Sequence, residues 1–97
     1  VPCTIGRRVA VGHRAIVHGA TVEADVLIGL GAVLLNRVHV GRGAVVGAGA
    51  VCPEGMRVPP DSLVLGVPAR VVRATTDEER VRIARTVASY LALQDEH

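Results

Sequence analysis

Aliphatic residues recur along the first half of the chain with a period of six. They lie at Ile5, Val11 and Val17 and, after one step of five, at Val22, Ile28, Leu34, Val40 and Val46. Four positions after each of them lies a small or β-branched residue, at Val9, Ala15, Thr21, Val26, Ala32, Val38, Ala44 and Ala50. This coupled repeat predicts a parallel β-helix, in which each hexapeptide is a short strand plus a corner and three hexapeptides make one coil of about eighteen residues.

The composition agrees with a narrow aliphatic core. The chain of 97 residues is 49% hydrophobic, yet its only aromatic residue is Tyr90. A thin prism has room for Val, Ile, Leu and Ala but not for Phe or Trp, which bury large areas. Cys3 and Cys52 fall on the small and aliphatic positions of the extended repeat. We therefore expect both cysteines to point inward as small hydrophobic side chains.

The repeat ends at two consecutive prolines, Pro59 and Pro60, which deny donors to a strand ladder. Further on, Thr76 precedes three acidic residues in a capping-box arrangement. This pattern predicts a helix from about Asp77 to Gln94, with apolar residues on two sides.

The predicted organisation has three parts. β-Helix coils occupy 1–58, an extended connection follows over 59–75, and the C-terminal α-helix occupies 76–97. Because the helix is apolar on two sides, we expect it to pack on its own β-helix and on another chain.

Charge and hydropathy narrow the range of partners. All eleven basic residues are Arg, against nine acids, and the net charge of +2 is scattered along the chain. Without aromatic stacking residues, this distribution predicts no nucleic-acid surface. No apolar run approaches the ~18–20 residues that cross a membrane, and no signal peptide is visible. We expect no membrane partner and a cytoplasmic location.

The segments VGHRAIVHGATVEADVLIGLGAVLL (Val11–Leu35) and VPPDSLVLGVPARVVR (Val58–Arg73) resemble the γ-class carbonic anhydrases. The resemblance implies an all-β fold, a left-handed parallel β-helix of about three coils followed by a C-terminal α-helix. It also implies a homotrimer that reversibly hydrates CO₂ to bicarbonate with a metal-bound hydroxide at the subunit interfaces. The segment Gly66–Arg70 also resembles acetyltransferases of the same fold.

His13 and His18 are the candidate metal ligands. Neither occupies an inward position, and a turn between them makes them project from different faces, so an ion shared between neighbouring prisms fits better than chelation by one chain. In the γ class two metal-binding histidines lie in a His-x-x-x-x-His segment, which His13-Arg-Ala-Ile-Val-His18 matches. The resemblance implies Zn²⁺, or another divalent transition metal such as Fe²⁺ or Co²⁺. His18 would bind it with its own chain, and His13 would reach across to the neighbour.

The family's third metal-binding histidine lies upstream of this segment, where the chain has only a few residues. We therefore expect Val1 to be the edge of a missing or cleaved N-terminal segment, so that the chain is the C-terminal part of a longer β-helix. His39 lies more than a coil downstream and His97 is terminal, so both are poor substitutes.

Three further residues have two possible roles each. The resemblance places Tyr90 near the site, whereas interface packing is its competing role. Glu23 and Asp25 follow the histidine segment. Either acid could hydrogen-bond to a metal-binding residue, or could simply be exposed to solvent at a corner of the β-helix.

Two other functions fit the same repeat. A hexapeptide acyltransferase would use His13 or His18 as general base and bind acyl-CoA between prisms without a metal. A non-catalytic scaffold would use the β-helix only to make a trimer.

Overall fold

The computed structural model describes residues 3–95, and it describes side chains over residues 3–86. Ten strands of two residues each come first, followed by two longer strands and one helix. The strands are β1 (Thr4–Ile5), β2 (Ala10–Val11), β3 (Ile16–Val17), β4 (Thr21–Val22), β5 (Leu27–Ile28), β6 (Val33–Leu34), β7 (His39–Val40), β8 (Val45–Val46), β9 (Val51–Cys52), β10 (Arg57–Val58), β11 (Ser62–Leu65) and β12 (Arg70–Ala74), and the helix is α1 (Asp77–Asp95). The architecture is the predicted left-handed parallel β-helix followed by a C-terminal helix.

Every third strand stacks in parallel on the same wall of the prism. The walls are β1-β4-β7-β10, β2-β5-β8-β11 with β12 at the edge, and β3-β6-β9. Thr21 pairs with His39, eighteen residues later, whereas Thr4 pairs with Thr21 after only seventeen. The missing residue belongs to the turn after Val17, where Gly19 has a φ of 60°. Glycine adopts this left-handed conformation without a steric penalty.

The core is a column of aliphatic side chains inside the prism. Its largest fully buried members include Ile28, Leu34, Val22, Val40, Val46 and Cys52. Ala20 is fully buried, whereas Thr21 is exposed, so the prediction that Thr21 fills the small inward position is wrong. The shortened turn moves this position back by one residue. Cys52 is buried as predicted, whereas Cys3 is exposed, so the prediction that Cys3 points into the core is wrong. Among the described residues 3–95, no coil stacks on the outer side of the coil that contains Cys3.

The outward residues differ among the three walls. On the polar face (β1, β4, β7, β10) they are Thr4, Thr21, His39 and Arg57. On the helix face (β2, β5, β8, β11) they include Ala10, Leu27 and Val45, which pack against Ile83 of α1. On the apolar face (β3, β6, β9) they are Ile16, Val33 and Val51. Within the described residues, no element covers this apolar face.

The segment 59–75, expected as an extended connection, contains a β-hairpin. After the prolines, Leu63 and Val64 return to the wall and pair in parallel with β8. β12 then pairs antiparallel with β11. The connection therefore continues the helix face before α1 begins.

The helix begins with the predicted capping box. Thr76 Oγ1 accepts a hydrogen bond from Glu79 N at 3.1 Å, and Glu79 Oε1 accepts one from Thr76 N at 2.9 Å. These contacts satisfy amide donors that the first turn of a helix leaves free. Ile83, only 6% exposed, then fixes the helix on its own β-helix. The expected contact of α1 with another chain stays a prediction.

Candidate metal site

His13 and His18 lie on the two turns that flank β3, at opposite edges of the apolar face. Both are exposed, in agreement with their outward register. Their backbones are held by the next coil, since His13 O accepts a hydrogen bond from Gly31 N at 2.9 Å and His18 N donates one to Leu34 O at 3.0 Å. The two imidazoles are therefore presented from a fixed backbone, one on each side of the wall.

One chain does not bring a set of metal ligands together. Strand β3 separates the two histidines, and among the described residues no three His, Cys, Asp or Glu side chains cluster closely enough to hold an ion. A catalytic zinc usually takes three protein ligands and keeps one open position. The described residues of one chain therefore provide no complete set of protein ligands around either histidine.

His18 has a hydrogen-bond partner that the sequence patterns did not reveal. Its Nδ1 lies 2.6 Å from Oδ1 of Asn36 in the next coil. The signal for this contact is the coil length, because Asn36 follows His18 by eighteen residues and so lies on the same corner. No spacing motif includes it.

Glu23 is engaged on a different corner, between the polar and helix faces. Its Oε2 lies 2.5 Å from His39 Nε2, and its Oε1 accepts a hydrogen bond from Arg42 N at 3.2 Å. The hydrogen bond from His39 lowers the pKa of the Glu23 carboxyl. Both Glu23 and His39 are thus committed to each other, away from the apolar face.

Asp25 is held on that same corner by two arginines. Arg8 Nε donates to Oδ1 at 2.6 Å, and Arg42 Nε lies 3.5 Å from Oδ2. The hydrogen bond from Arg8 lowers the pKa of Asp25. Within the described residues, Glu23 therefore contacts His39 and Asp25 contacts two arginines, so neither acid reaches His13 or His18 of its own chain. A role for either acid near a metal stays a prediction.

The structure does not describe the side chains of two residues that the sequence analysis discussed. The side chain of Tyr90 and the whole of His97 lie outside the described residues. The role of Tyr90 stays a prediction.

The amino-acid sequence of the chain is similar to those of several known proteins. No family model matches the chain. The chain is 41% identical over 97 residues to the mitochondrial gamma carbonic anhydrase 2 of Arabidopsis thaliana, a match that covers 100% of the chain and 35% of that protein. It is also 41% identical over 90 residues to a carbonic anhydrase of Geobacillus kaustophilus, covering 93% of the chain and 50% of that protein. By sequence, the chain is a homologue of proteins named gamma carbonic anhydrase.

The chain spans between 35% and 50% of the length of these two relatives. Among solved structures, a Bacillus cereus protein described as an acetyltransferase matches with a TM-score of 0.86 and 34% identity, over 93% of this chain and 58% of that one. The hexapeptide fold is therefore common to proteins named for two different activities. Residues 3–95 include no helix that is long and apolar enough to cross a membrane.

Proposed function

We propose that the chain assembles into a homotrimeric γ-carbonic-anhydrase-like metalloprotein that hydrates CO₂ to bicarbonate. His13 of one subunit and His18 of its neighbour would bind a divalent metal ion at each interface. The observation that carries this proposal is the position of the two histidines, exposed at opposite edges of one uncovered apolar wall.

The character of the three walls supports assembly through the apolar face. The polar face presents hydrophilic side chains, and α1 covers the helix face. On the apolar face Ile16 is 54% exposed, and Val33 and Val51 are half-buried. Burial of such surface against another copy is favourable by about 25 cal/mol per Å². The same contact would bring an imidazole from each of two chains toward a common interface.

The donor chemistry suits the ions that the sequence suggests. Neutral imidazole is a good ligand for Zn²⁺, Fe²⁺ and other first-row divalent ions. His18 uses Nδ1 in its contact with Asn36, so its Nε2 is the nitrogen left for a metal. Two histidines per interface fall short of three ligands, so a further donor must complete the set.

When bound, the ion would supply the Lewis acidity that makes a water molecule nucleophilic at neutral pH. The chain's own part is to hold the two imidazoles on fixed turns. It also supplies the apolar wall that excludes bulk water between subunits.

Metal analysis of protein purified without chelator tests the proposal. We expect near-stoichiometric zinc, iron or cobalt in trimers of the wild type, and CO₂ hydration that depends on it. A His13→Ala/His18→Ala double variant should lose the metal and the activity. His39→Ala is the matched control, because His39 lies on the polar face and should leave both unchanged. Metal-free wild-type trimers would contradict the proposal.

An acyltransferase is the second candidate, favoured by the structural match with the Bacillus cereus protein. It predicts that the same preparation binds acetyl-coenzyme A and acetylates an acceptor without a metal. His13→Ala or His18→Ala would then abolish transfer rather than metal binding. Trimers with neither activity would identify a scaffold. The cytoplasmic location stays a prediction, since one relative is named as mitochondrial.

A further inference from the structure

His18 and Asn36 are held in contact by the backbone of two consecutive coils. His18 N donates to Leu34 O at 3.0 Å, and Arg37 N donates to Gly19 O at 3.0 Å. These two bonds bracket the side-chain contact and stack one turn directly on the next. The distance of 2.6 Å between His18 Nδ1 and Asn36 Oδ1 is therefore a product of coil geometry.

The contact selects one tautomer of the imidazole. An amide oxygen can only accept a hydrogen bond, so Nδ1 of His18 must carry the proton. In the neutral ring the lone pair then belongs to Nε2, which is the form that a metal ligand needs. His13 makes no side-chain hydrogen bond within the described part of the chain, so this selection is specific to His18.

We propose that Asn36 is a positioning residue for His18: it holds the ring orientation and keeps Nε2 free of its proton before the metal arrives. The inference rests on the proposed function, in which His18 is a metal ligand. Ligating histidines commonly donate their second N–H to such an acceptor, and loss of that acceptor typically costs 10–100-fold in metal affinity.

Asn36→Leu removes the acceptor, and Asn36→Asp retains one. The matched control is Glu54→Leu, because Glu54 lies eighteen residues after Asn36 on the same corner and pairs with Arg37 rather than with a histidine. If Asn36 mattered only for the stability of the corner, Glu54→Leu would have the same effect.

The first measurement is the tautomer of His18 in metal-free protein, read from long-range ¹H–¹⁵N NMR correlations in mildly alkaline buffer. We expect the Nδ1–H form in the wild type, Asn36→Asp and Glu54→Leu. Asn36→Leu should give a mixture of both forms. An Nε2–H form in the wild type would overturn the proposal, whether or not a metal binds.

The second measurement is the affinity for Zn²⁺, obtained by competition with a chromophoric chelator. Asn36→Leu should bind roughly 10–100-fold more weakly than the wild type, whereas Asn36→Asp and Glu54→Leu should bind at least as tightly. Equal affinity of Asn36→Leu and the wild type would overturn the positioning role. Absence of metal from the wild type and from every variant would overturn the proposed function and the positioning role with it. If the wild type still showed the Nδ1–H form, the hydrogen bond to Asn36 would be present and only metal binding would have failed.

Discussion

Arg8 and Asp25 occupy the same left-handed turn position in consecutive coils and form a two-pronged ion pair. Their φ angles are 53° and 60°, and Arg8 donates from Nε to Oδ1 at 2.6 Å and from Nη2 to Oδ2 at 3.1 Å. Elsewhere along the prism the equivalent position is often glycine, as at Gly31 and Gly49. This turn position therefore requires a left-handed backbone conformation, which residues other than glycine can also adopt. A second group of glycines is required for a different reason, because the next coil lies too close to leave room for a Cβ.

Gly29 illustrates the second requirement. A Cβ added there would lie 2.6 Å from Ala48 N and 2.8 Å from Gly47 C, both rigid backbone atoms. We expect Gly29→Ala to destabilise the protein by about 1–3 kcal/mol, as overpacking of a core does. Gly49→Asn is the control, because Gly49 has open space around it and asparagine tolerates a positive φ. Similar urea midpoints for the two variants would contradict this distinction.

Ile83 anchors the helix on the β-helix. It is 6% exposed and packs with Ala10, Leu27 and Val45. Truncation to alanine should cost about 2 kcal/mol or more, since buried Ile→Ala changes typically do. Val81→Ala is the matched comparison, because Val81 is 53% exposed and should lose little. Urea unfolding followed by circular dichroism measures both, and an Ile83→Ala midpoint equal to that of Val81→Ala would show that the helix is not docked there.

The helix cap should make stability depend on acidity. The hydrogen bond from Arg73, aided by Thr76 N, lowers the pKa of Glu79 from 4.5 to about 2. A carboxylate whose pKa is lower in the folded state stabilises the fold above its unfolded pKa, and the contribution is lost as the pH falls through its folded pKa. The wild type should therefore exceed Glu79→Gln in stability at neutral pH, and the difference should shrink between pH 4.5 and about 2.

Glutamine retains the capping geometry but not the charge, so this comparison isolates the ion pair with Arg73. A stability difference that stayed constant over that pH window would contradict the assignment.

The two cysteines should react at very different rates. Burial raises the pKa of the Cys52 thiol to about 11, whereas Cys3 is exposed. Because the thiolate is the reactive form, a disulfide reagent near neutral pH should label one thiol per chain rapidly and the second only in denaturant. Mass spectrometry of the labelled peptides should place the rapid reaction at Cys3. Rapid labelling of Cys52 in folded protein would contradict the packed core.

Most of the fold could be predicted because a narrow prism leaves few ways to place aliphatic side chains. The period of six identified the inward column from Val22 to Cys52. The error at Thr21 came from counting forward across the turn after Val17, which is one residue short. Ala20 is the inward residue, because it lies two residues before Val22 and side chains alternate along a strand. The length of the preceding turn does not affect this spacing.

The connection after the prolines was harder to predict. Leu63 pairs in parallel with Val45 of β8, and β12 then folds back antiparallel on β11 to form the hairpin. The hexapeptide register continues past the proline pair, because Val64 follows Val58 by six residues, is fully buried and pairs in parallel with Val46.

The candidate site could be predicted only in part. The register placed His13 and His18 on the outside, and both are exposed. Their supporting contacts depend on which side chains stack one coil away. Asn36 was missed for this reason, and Glu23 proved to be paired with His39. In the proposed site the two histidines come from different subunits, and no pattern within one chain specifies such a contact.

The sharing of each site between two subunits can be measured by complementation. His13→Ala and His18→Ala chains are unfolded, mixed in equal amounts and refolded together, and bound metal per chain is compared with that of each variant alone. If each site takes His13 from one subunit and His18 from its neighbour, every hybrid trimer contains one intact site, and random mixing restores roughly a quarter of the wild-type metal. Recovery to that level is the result that we predict. A mixture that binds no more metal than the separate variants would contradict a shared site.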